Sequence, residues 1–293
     1  MKLSVVLATH DEEDNIGSCL DSIRSIADEI IVFDEASTDK TVEIAKKYRA
    51  KVTNDVHKTN FHETKEKGIE TASGDWILQL DADERVSKQL AKEIRSVIEN
   101  RHSEFISESI LEYNKNNLDK LFLRHQKLIE QREGHLGKPT KEVVAFFVPR
   151  RNYFLGKPLI HAGAYPDGVI RLFKKGKAKL PGKSVHELME VDGEVEWLYN
   201  DLEHHDSPTL NRYLDRMNRY TDLFAKDLKN RKVPVNYWNL FKYSFPIPIS
   251  YFLKLYIRHK GFLDGMPGFV WSLFSALHFP LAYFKYWQMA KEE

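Results

Sequence analysis

The sequence offers little for disulfide or zinc chemistry, because Cys19 is the only cysteine among 293 residues. One cysteine cannot form an intramolecular disulfide bond or a cysteine-rich metal site, and it is typical of a reducing compartment. The sequence also lacks a Gly-x-Gly-x-x-Gly fingerprint and a Gly-x-x-x-x-Gly-Lys-Ser/Thr motif. Neither a dinucleotide fingerprint nor a P-loop therefore explains any ligand crevice in this protein.

The chain has no long apolar leader at its start, since the apolar residues of positions 1–8 give way at once to His10 and four acidic residues. That stretch is too short for a signal peptide, so we expect the fold to begin there. Hydrophobic residues make up 42% of the chain and charged residues 30%, which disfavours disorder and fibrous architectures. The length suits one large domain or two modest ones.

The formal net charge of +1 hides a division along the chain. Residues 1–99 hold 14 basic and 21 acidic side chains, whereas residues 207–293 hold 13 basic and 6 acidic ones. The acidic part suits metal binding, and the basic, aromatic part suits anionic lipid or phosphate; chance segregation is the alternative. No basic recognition motif accompanies the excess, so nucleic acid is not an expected partner.

Short apolar runs alternate with helical periodicity over the first hundred residues. The runs that predict strands are Leu3–Ala8, Glu29–Phe33, Lys51–Thr53 and Trp76–Leu80. Strands that alternate with helices predict an α/β fold, with a mostly parallel sheet flanked by helices. Three of the strands end in polar clusters, and the ligand crevice of such sheets lies beyond these carboxyl ends.

The rest of the chain is less regular. Residues 101–135 predict an inserted amphipathic helix, a helix pair or a partly mobile flap. Further strands are predicted at Val143–Arg151 and Val169–Phe173, and a helix at Thr209–Leu228.

The C-terminal tail is apolar but interrupted. Gly265–Phe284 has no charged residue over 20 positions, which is nominally enough to cross a bilayer, yet glycines, prolines and aromatic rings break the run. The preceding segment, Phe245–Ile257, carries two prolines and is followed by Arg258 and Lys260. We expect these helices to lie in the headgroup layer; an internal cap and a true span are the alternatives.

Acidic residues at the predicted strand ends are the strongest chemical signal. Asp81 and Asp83 follow a buried strand, and paired carboxylates there suit Mg²⁺ or Mn²⁺, although acidic pairs in loops are mostly just solvated. Asp34 and Glu35 end another strand and are able to accept hydrogen bonds from a ribose or nucleobase. The competing interpretation is a cap for the next helix.

Three motifs occur in a fixed order and spacing: ATHDEE at 8–13, IVFDEASTDKT at 31–41 and GDWILQLDADE at 74–84. Together they resemble the family 2 glycosyltransferases of GT-A fold, and within them the lipopolysaccharide-core glucosyltransferase branch. The later runs YPDGVIRLF at 165–173, VHE at 185–187 and GFLDG at 261–265 resemble the same branch. At positions 10 and 11 this chain has His-Asp, where the family often has Tyr-Asn. The difference concerns the residues that would stack on the nucleobase.

The resemblance implies an inverting transfer from a nucleotide-diphosphate sugar, with a UDP-sugar favoured. The substrate-binding residues it implies are Thr9, Glu12, Asp34, Glu35, Lys65, Asp81 and Arg171. It implies a Mg²⁺ or Mn²⁺ site at Asp81 and Asp83, with His186 as a further ligand or a structural residue. It also implies Glu187 as the general base and Asp167 as the reserve.

Several of these side chains have alternative roles. Lys65 would neutralise a phosphate or remain a solvated helix lysine, and Arg171 would pair with leaving-group phosphate or with Asp167. His204-His205-Asp206 would supply a second phosphate contact or form a polar loop before the next helix.

The expected organisation is a catalytic domain at 1–206, with the 101–135 insertion, and a helical, membrane-associating region at 207–293. The expected acceptor is a lipid-linked or lipopolysaccharide-core saccharide of the bacterial envelope, reached from the inner face of the cytoplasmic membrane. Two alternatives remain. A polyprenyl phosphate acceptor is already an anion and would need no general base, and a nucleotidyltransferase would usually need a basic, glycine-rich first loop.

Overall fold

A computed structural model describes residues 1–57, 61–109, 112–133, 136–138, 140–181 and 189–291. The chain forms two compact units. The first comprises residues 1–150 and 166–204, and the second comprises residues 151–165 and 205–293.

The first hundred residues form the four strands that the sequence predicts, alternating with helices, and one further short strand, Glu84–Val86. The strands of this part are β1 (Leu3–Thr9), β2 (Glu29–Glu35), β3 (Lys51–Asp55), β4 (Trp76–Leu80) and β5 (Glu84–Val86). The helices of this part are α1 (Ile16–Ile23), α2 (Thr41–Lys47), α3 (Phe61–Thr71) and α4 (Lys88–Ile98). Ser87 caps α4, because its hydroxyl accepts a hydrogen bond from the Leu90 N–H.

The later elements complete the sheet and add helices. The strands are β6 (Val143–Phe154), β7 (Lys157–Pro158), β8 (Asp167–Lys174), β9 (Ala178–Lys179), β10 (Glu190–Val191), β11 (Glu194–Trp197) and β12 (Leu202–Ser207). The helices are α5 (His102–Ser109), α6 (Glu112–Glu133), α7 (Leu210–Asn230), α8 (Tyr237–Ser244), α9 (Pro246–Leu253) and α10 (Gly265–Met289). A π-helical turn (Lys254–Arg258) and a 3₁₀ turn (Gly261–Asp264) join α9 to α10.

The main sheet has the strand order β3-β2-β1-β4-β8-β6-β12-β5, which confirms the α/β fold but makes the sheet mixed. The pairs β3-β2, β2-β1 and β1-β4 are parallel, since a helix connects each strand to the next. From β4 onward, β8 pairs antiparallel with both β4 and β6. The parallel prediction therefore holds for the first four strands, where crossover helices enforce it.

The strand β1 separates two hydrophobic cores by alternating its side chains. Leu3, Val5 and Leu7 are fully buried in one core, with side chains from α1 and α4. Val6 points into the other core, which α3 and α6 cover. Successive strand residues face opposite sides of a sheet, so both faces of β1 are covered by helices.

The helices of the second unit pack around Tyr283 of α10, which is fully buried. Thr209 caps α7 through the N–H of Arg212. Among the described residues, no helix combines the length and the apolar character that a membrane crossing requires.

The carboxylate of Glu29, whose side chain is 10% exposed, ties the edge of the first unit together. It accepts hydrogen bonds from Ser4, the Ser73 backbone and side chain, and Lys51. Burial alone would raise the pKa of Glu29, but the bonds from Lys51, Ser4 and Ser73 outweigh it and lower the pKa to about 2.

Because the folded pKa of Glu29 lies below its unfolded value, its stabilisation is present above pH 4.5 and is lost as the pH falls toward 2. We expect Glu29→Gln to lower the free energy of unfolding by about 1–2 kcal/mol at pH 7. Urea unfolding at a series of pH values measures this. The difference in free energy of unfolding between the variant and the wild type should shrink below pH 4.5.

Glu43→Gln, which removes an exposed i,i+4 pair with Lys47, is the matched control, and it should change the free energy of unfolding little. An equal loss at pH 7 and pH 3 would contradict the assignment.

Candidate active site

The carboxyl ends of β2, β1 and β4 meet at one edge of the sheet. Thr9, the last residue of β1, is paired with Asp34 of β2, and Leu7 is paired with Leu80, the last residue of β4. Asp81 follows Leu80 directly. The structure thus brings the predicted residues of three motifs to neighbouring strand ends, where ligands bind in parallel sheets.

Asp34 and Glu35 are almost wholly buried at the end of β2, each with 1% exposure. Asp34 accepts hydrogen bonds from the Thr9 hydroxyl at 3.1 Å and from the backbone and hydroxyl of Ser37. The Asp34 carboxylate therefore fixes the conformation of the loop after β2. The next helix has Lys40 at its N-cap without a side-chain capping bond, and the preceding residue, Asp39, accepts from the Thr41 N–H and hydroxyl.

Two histidines stack beside the end of β2. The rings of His10 and His57 lie 4.2 Å apart at an angle of 23°. His10 Nδ1 lies 2.6 Å from the Glu35 carbonyl oxygen, and His57 Nδ1 lies 3.1 Å from the Glu35 carboxylate. The two stacked rings thus form an aromatic surface at His10, where this sequence has histidine in place of the tyrosine that the family motif often has.

Glu12 holds the loop between β1 and α1. Its N–H donates to the Thr41 hydroxyl at 2.7 Å, and its carboxylate accepts from the Asn15 side chain at 2.8 Å. Its carbonyl oxygen accepts from the N–H groups of Asn15 and Ile16 at the start of α1. These contacts anchor the loop that carries His10.

The turn after β4 is closed by Glu84. The Glu84 carboxylate accepts from the Asp81 N–H at 3.0 Å, and the Glu84 N–H donates to the Asp81 carbonyl at 3.0 Å. Glu84 itself is completely buried. These two bonds fix the backbone from which Asp83 projects.

Both carboxylate oxygens of Asp81 face cations. Lys65 of α3 lies 2.5 Å from Oδ1, and Arg171 of β8 lies 2.5 Å from Oδ2. Burial would raise the pKa of Asp81, but Arg171 and Lys65 outweigh it and hold the pKa well below its usual range. In the described structure, Lys65 and Arg171 therefore contact Asp81, and Asp81 is ionised and neutralised by its own neighbours.

Arg171 is 7% exposed and joins several acidic groups. In addition to Asp81 it binds Glu84 at 2.7 Å and the side-chain oxygen of Gln79. The alternative in which Arg171 pairs with Asp167 differs from the structure, where Arg171 pairs with Asp81 and Glu84 and Arg150 lies 2.6 Å from Asp167. Arg150 lies on the neighbouring strand β6, directly opposite Asp167 at the start of β8. Arg171 lies four residues further along β8.

Asp83 faces His204, with 3.5 Å between Oδ2 and Nε2. Both side chains are mostly buried, at 15% and 12% exposure. His204 comes from β12, which pairs antiparallel with β5 so that His204 lies opposite Glu84. The segment is therefore a strand, and the expectation of a polar loop there is wrong.

The Asp83 carboxylate is an oxygen donor of the kind that Mg²⁺ and Mn²⁺ prefer, and the neighbouring His204 imidazole is a nitrogen donor that suits the transition metal Mn²⁺ better than Mg²⁺. Asp83 and His204 supply such a pair of donors, whereas each carboxylate oxygen of Asp81 already contacts a cation. Asp83 is thus the better placed of the two predicted carboxylate ligands. His186 and Glu187 lie outside the described residues.

Sequence reasoning missed Glu84, Arg150 and the pairing of His204 with Asp83. Glu84 is visible in the sequence as the residue that follows the acidic pair, and a completely buried carboxylate needs a partner. The sequence suggests His204 as a phosphate contact or as part of a polar loop. It does not suggest a contact with Asp83, because only the pairing of β12 with β5 brings the two side chains together.

Comparisons with known proteins find relatives and solved structures that are similar to this chain. A Rickettsia typhi protein named as an uncharacterized glycosyltransferase is 28% identical over 289 residues, covering 94% of this chain and 83% of its own. The lipopolysaccharide core biosynthesis glycosyltransferase LpsC of Rhizobium meliloti is 24% identical over 296 residues, covering 94% and 91%. A crystal structure of S. aureus TarS 1-349 with UDP-GlcNAc covers 100% of this chain and 92% of its own at a TM-score of 0.45 and 14% identity.

A family model provides the assignment itself. Residues 4–155, more than half of the chain, match the model for Glycosyl transferase family 2. The match contains all the strand ends described above, from Thr9 to Asp83. The resemblance seen in the sequence motifs is therefore confirmed, as is the GT-A type of fold, and the chain belongs to glycosyltransferase family 2.

Proposed function

We propose that this glycosyltransferase is an inverting, metal-dependent enzyme that moves a sugar from a nucleotide-diphosphate sugar to a saccharide acceptor of the bacterial envelope. The observation that carries the proposal is the pair of Asp83 and His204 beside the strand ends of a family 2 glycosyltransferase domain. Oxygen and nitrogen donors at that edge suit a divalent cation that binds a diphosphate.

Asp83 and His204 are the proposed ligands of Mg²⁺ or Mn²⁺, which when bound stabilises negative charge on the departing diphosphate. Lys65 and Arg171 neutralise Asp81, which lowers the repulsion that a diphosphate meets in this acidic crevice. Thr9, Asp34 and Glu35 form the proposed nucleoside end of the site, and Glu12 supports the loop that carries His10.

Inversion requires a single in-line displacement at the anomeric carbon. The acceptor hydroxyl oxygen forms the new bond, its proton passes to a base, and the nucleoside diphosphate leaves with the electron pair of the broken bond. Glu187 is the proposed base on the strength of the family resemblance. Asp167 is the reserve, and Arg150 holds its carboxylate at the start of β8.

The proposed acceptor is a lipid-linked or lipopolysaccharide-core saccharide. The name of the Rhizobium meliloti relative, which covers nearly all of this chain, supports this class of acceptor. We also propose that residues 1–206 form the catalytic domain and that residues 207–293 associate with the inner face of the cytoplasmic membrane. The net basic charge of that region supports the second proposal.

The donor is tested by isothermal calorimetry with UDP-, GDP- and dTDP-sugars, each with and without Mn²⁺. We expect one nucleotide class, that of the UDP-sugars, to bind at least about tenfold more tightly with Mn²⁺ than without it. Equal binding with and without the ion would contradict the metal role. The absence of binding by any nucleotide sugar would contradict the proposed function.

A further inference from the structure

One side of the second unit exposes large apolar side chains that its own packing does not use. Helix α8 has no buried residue, and the exposed side chains continue through α9 into the π-helical turn. We refer to the following set as the α8–α9 stripe, in which every side chain is at least half exposed: Trp238, Phe241, Phe245, Ile249, Leu253 and Ile257. Contiguous exposed apolar surface of this kind marks an interaction site.

The opposite side of the same helices packs inward. Tyr243 of α8 stacks on Tyr283 of α10 with 5.0 Å between the rings, and Tyr251 of α9 meets Phe279 of α10 edge to face, also at 5.0 Å. Leu255 is 7% exposed. The inward side therefore already has its partner in α10, and the stripe is what the two helices present to a second partner.

The stripe is continuous within each helical segment. Its members recur every three or four residues, which places them on one side of a helix. The ring of Trp238 lies 6.1 Å from that of Phe241, which lies 5.5 Å from that of Phe245. Three aromatic rings therefore form one apolar surface at the start of the stripe.

Charge identifies the partner. Residues 237–263 contain no aspartate or glutamate and four basic residues, all exposed: Lys242, Lys254, Arg258 and Lys260. The first three each directly follow a stripe residue, so each lies about 100° around the helix from its apolar neighbour, on the same flank. Basic side chains along one flank of an apolar stripe match an anionic lipid surface, where the apolar side chains enter the acyl boundary.

We propose that the α8–α9 stripe is the surface with which this protein docks on an anionic lipid bilayer, with α8 and α9 along the membrane plane. The inference rests on the membrane-associating region of the proposed function and assigns its contact to particular residues. It also moves that contact away from α10, which contains the longest stretch of the tail without a charged residue. α10 uses residues such as Ala276, Ala282 and Tyr286 for packing inside the unit.

The test is co-sedimentation of the full chain with vesicles of phosphatidylcholine alone or with 30% phosphatidylglycerol. We expect Trp238→Ser/Phe241→Ser/Ile249→Ser to weaken binding to the anionic vesicles by about a hundredfold. The matched control is Leu277→Ser/Leu281→Ser, which alters two α10 side chains that are each 38% exposed, and it should bind as wild type does.

The charge requirement is tested by a separate variant. We expect Lys242→Gln/Lys254→Gln/Arg258→Gln to lose at least about tenfold in binding to the anionic vesicles, with little change on neutral ones. Equal binding of the wild-type protein to both vesicle types would overturn the anionic partner. If sedimentation equilibrium showed instead that the stripe variant converts a dimer into a monomer, a second copy of the chain would be the partner and the proposal would fail.

A second measurement does not depend on how the stripe variant folds. Brominated lipids should quench tryptophan fluorescence in the wild type, and Trp238→Phe should remove most of the quenching while Trp287→Phe of α10 should not. The reverse result would place α10 at the bilayer and overturn the proposal. UDP-sugar binding with Mn²⁺ should be unchanged in every one of these variants, so that a failure of docking and a failure of the proposed donor chemistry give different results.

Discussion

Replacement of Asp83 by asparagine is expected to lower kcat/KM by about a thousandfold and to remove the dependence of nucleotide binding on Mn²⁺. Asparagine keeps the shape of the side chain, but it removes the negative charge that the proposed cation needs beside His204. The measurements are steady-state transfer at several Mn²⁺ concentrations and calorimetric titration with UDP.

The control for this prediction is Asp14→Asn, which removes an exposed carboxylate from the same acidic part of the chain. Its kcat/KM and its response to Mn²⁺ should equal those of the wild type. Thermal unfolding of Asp83→Asn should also remain close to that of the wild type. Full activity of Asp83→Asn would rule out this carboxylate as a metal ligand.

The second large effect concerns stability. Arg171→Met is expected to lower the free energy of unfolding by about 3–5 kcal/mol, because it leaves Glu84 and Asp81 without their shared buried cation. Denaturant unfolding followed by circular dichroism measures it. A double-mutant cycle with Glu84→Gln isolates the interaction between Arg171 and Glu84. The double variant should lose less free energy of unfolding than the two single variants lose together.

Arg95→Met is the matched control for Arg171→Met. Arg95 pairs with Asp28 at 3.3 Å near the surface, where each side chain is about one third exposed. Its loss should cost no more than about 1 kcal/mol. If Arg171→Met were as mild as Arg95→Met, the buried network around Asp81 would not be a source of stability.

The elements near the amino terminus could be predicted because their signals are local. The runs that became β1, β2 and β4 have buried-strand character, and Ser87 sits directly before an amphipathic helix. Each crossover helix then fixes a parallel pairing. The acidic residues at the ends of these strands followed from the same local pattern.

The partners of those acidic residues could not be predicted, because they come from distant parts of the chain. Asp81 meets Lys65 from α3 and Arg171 from β8, and Asp83 meets His204 from β12. The contacts of Arg171 and His204 depend on the antiparallel pairings of β8 with β4 and of β12 with β5, in which no connecting helix sets the direction. A composition or spacing rule does not contain that information.

The tail shows a related limit of sequence analysis. The uncharged run around α10 predicts an apolar helix, but apolarity does not say whether protein or lipid covers it. In the structure α10 is the packing partner of α8 and α9 through Tyr283 and Phe279. The exposed side chains of α8 and α9 lie in the preceding basic stretch, and the sequence does not show which of the two segments has the exposed surface.

The central claim is that a divalent cation binds between Asp83 and His204. Anomalous scattering from crystals soaked with Mn²⁺ and UDP tests it most directly. We expect a manganese peak in contact with the Asp83 carboxylate and the His204 imidazole, and no such peak in Asp83→Asn. A peak at another group, or UDP bound in the crevice with no manganese beside these two side chains, would contradict the account.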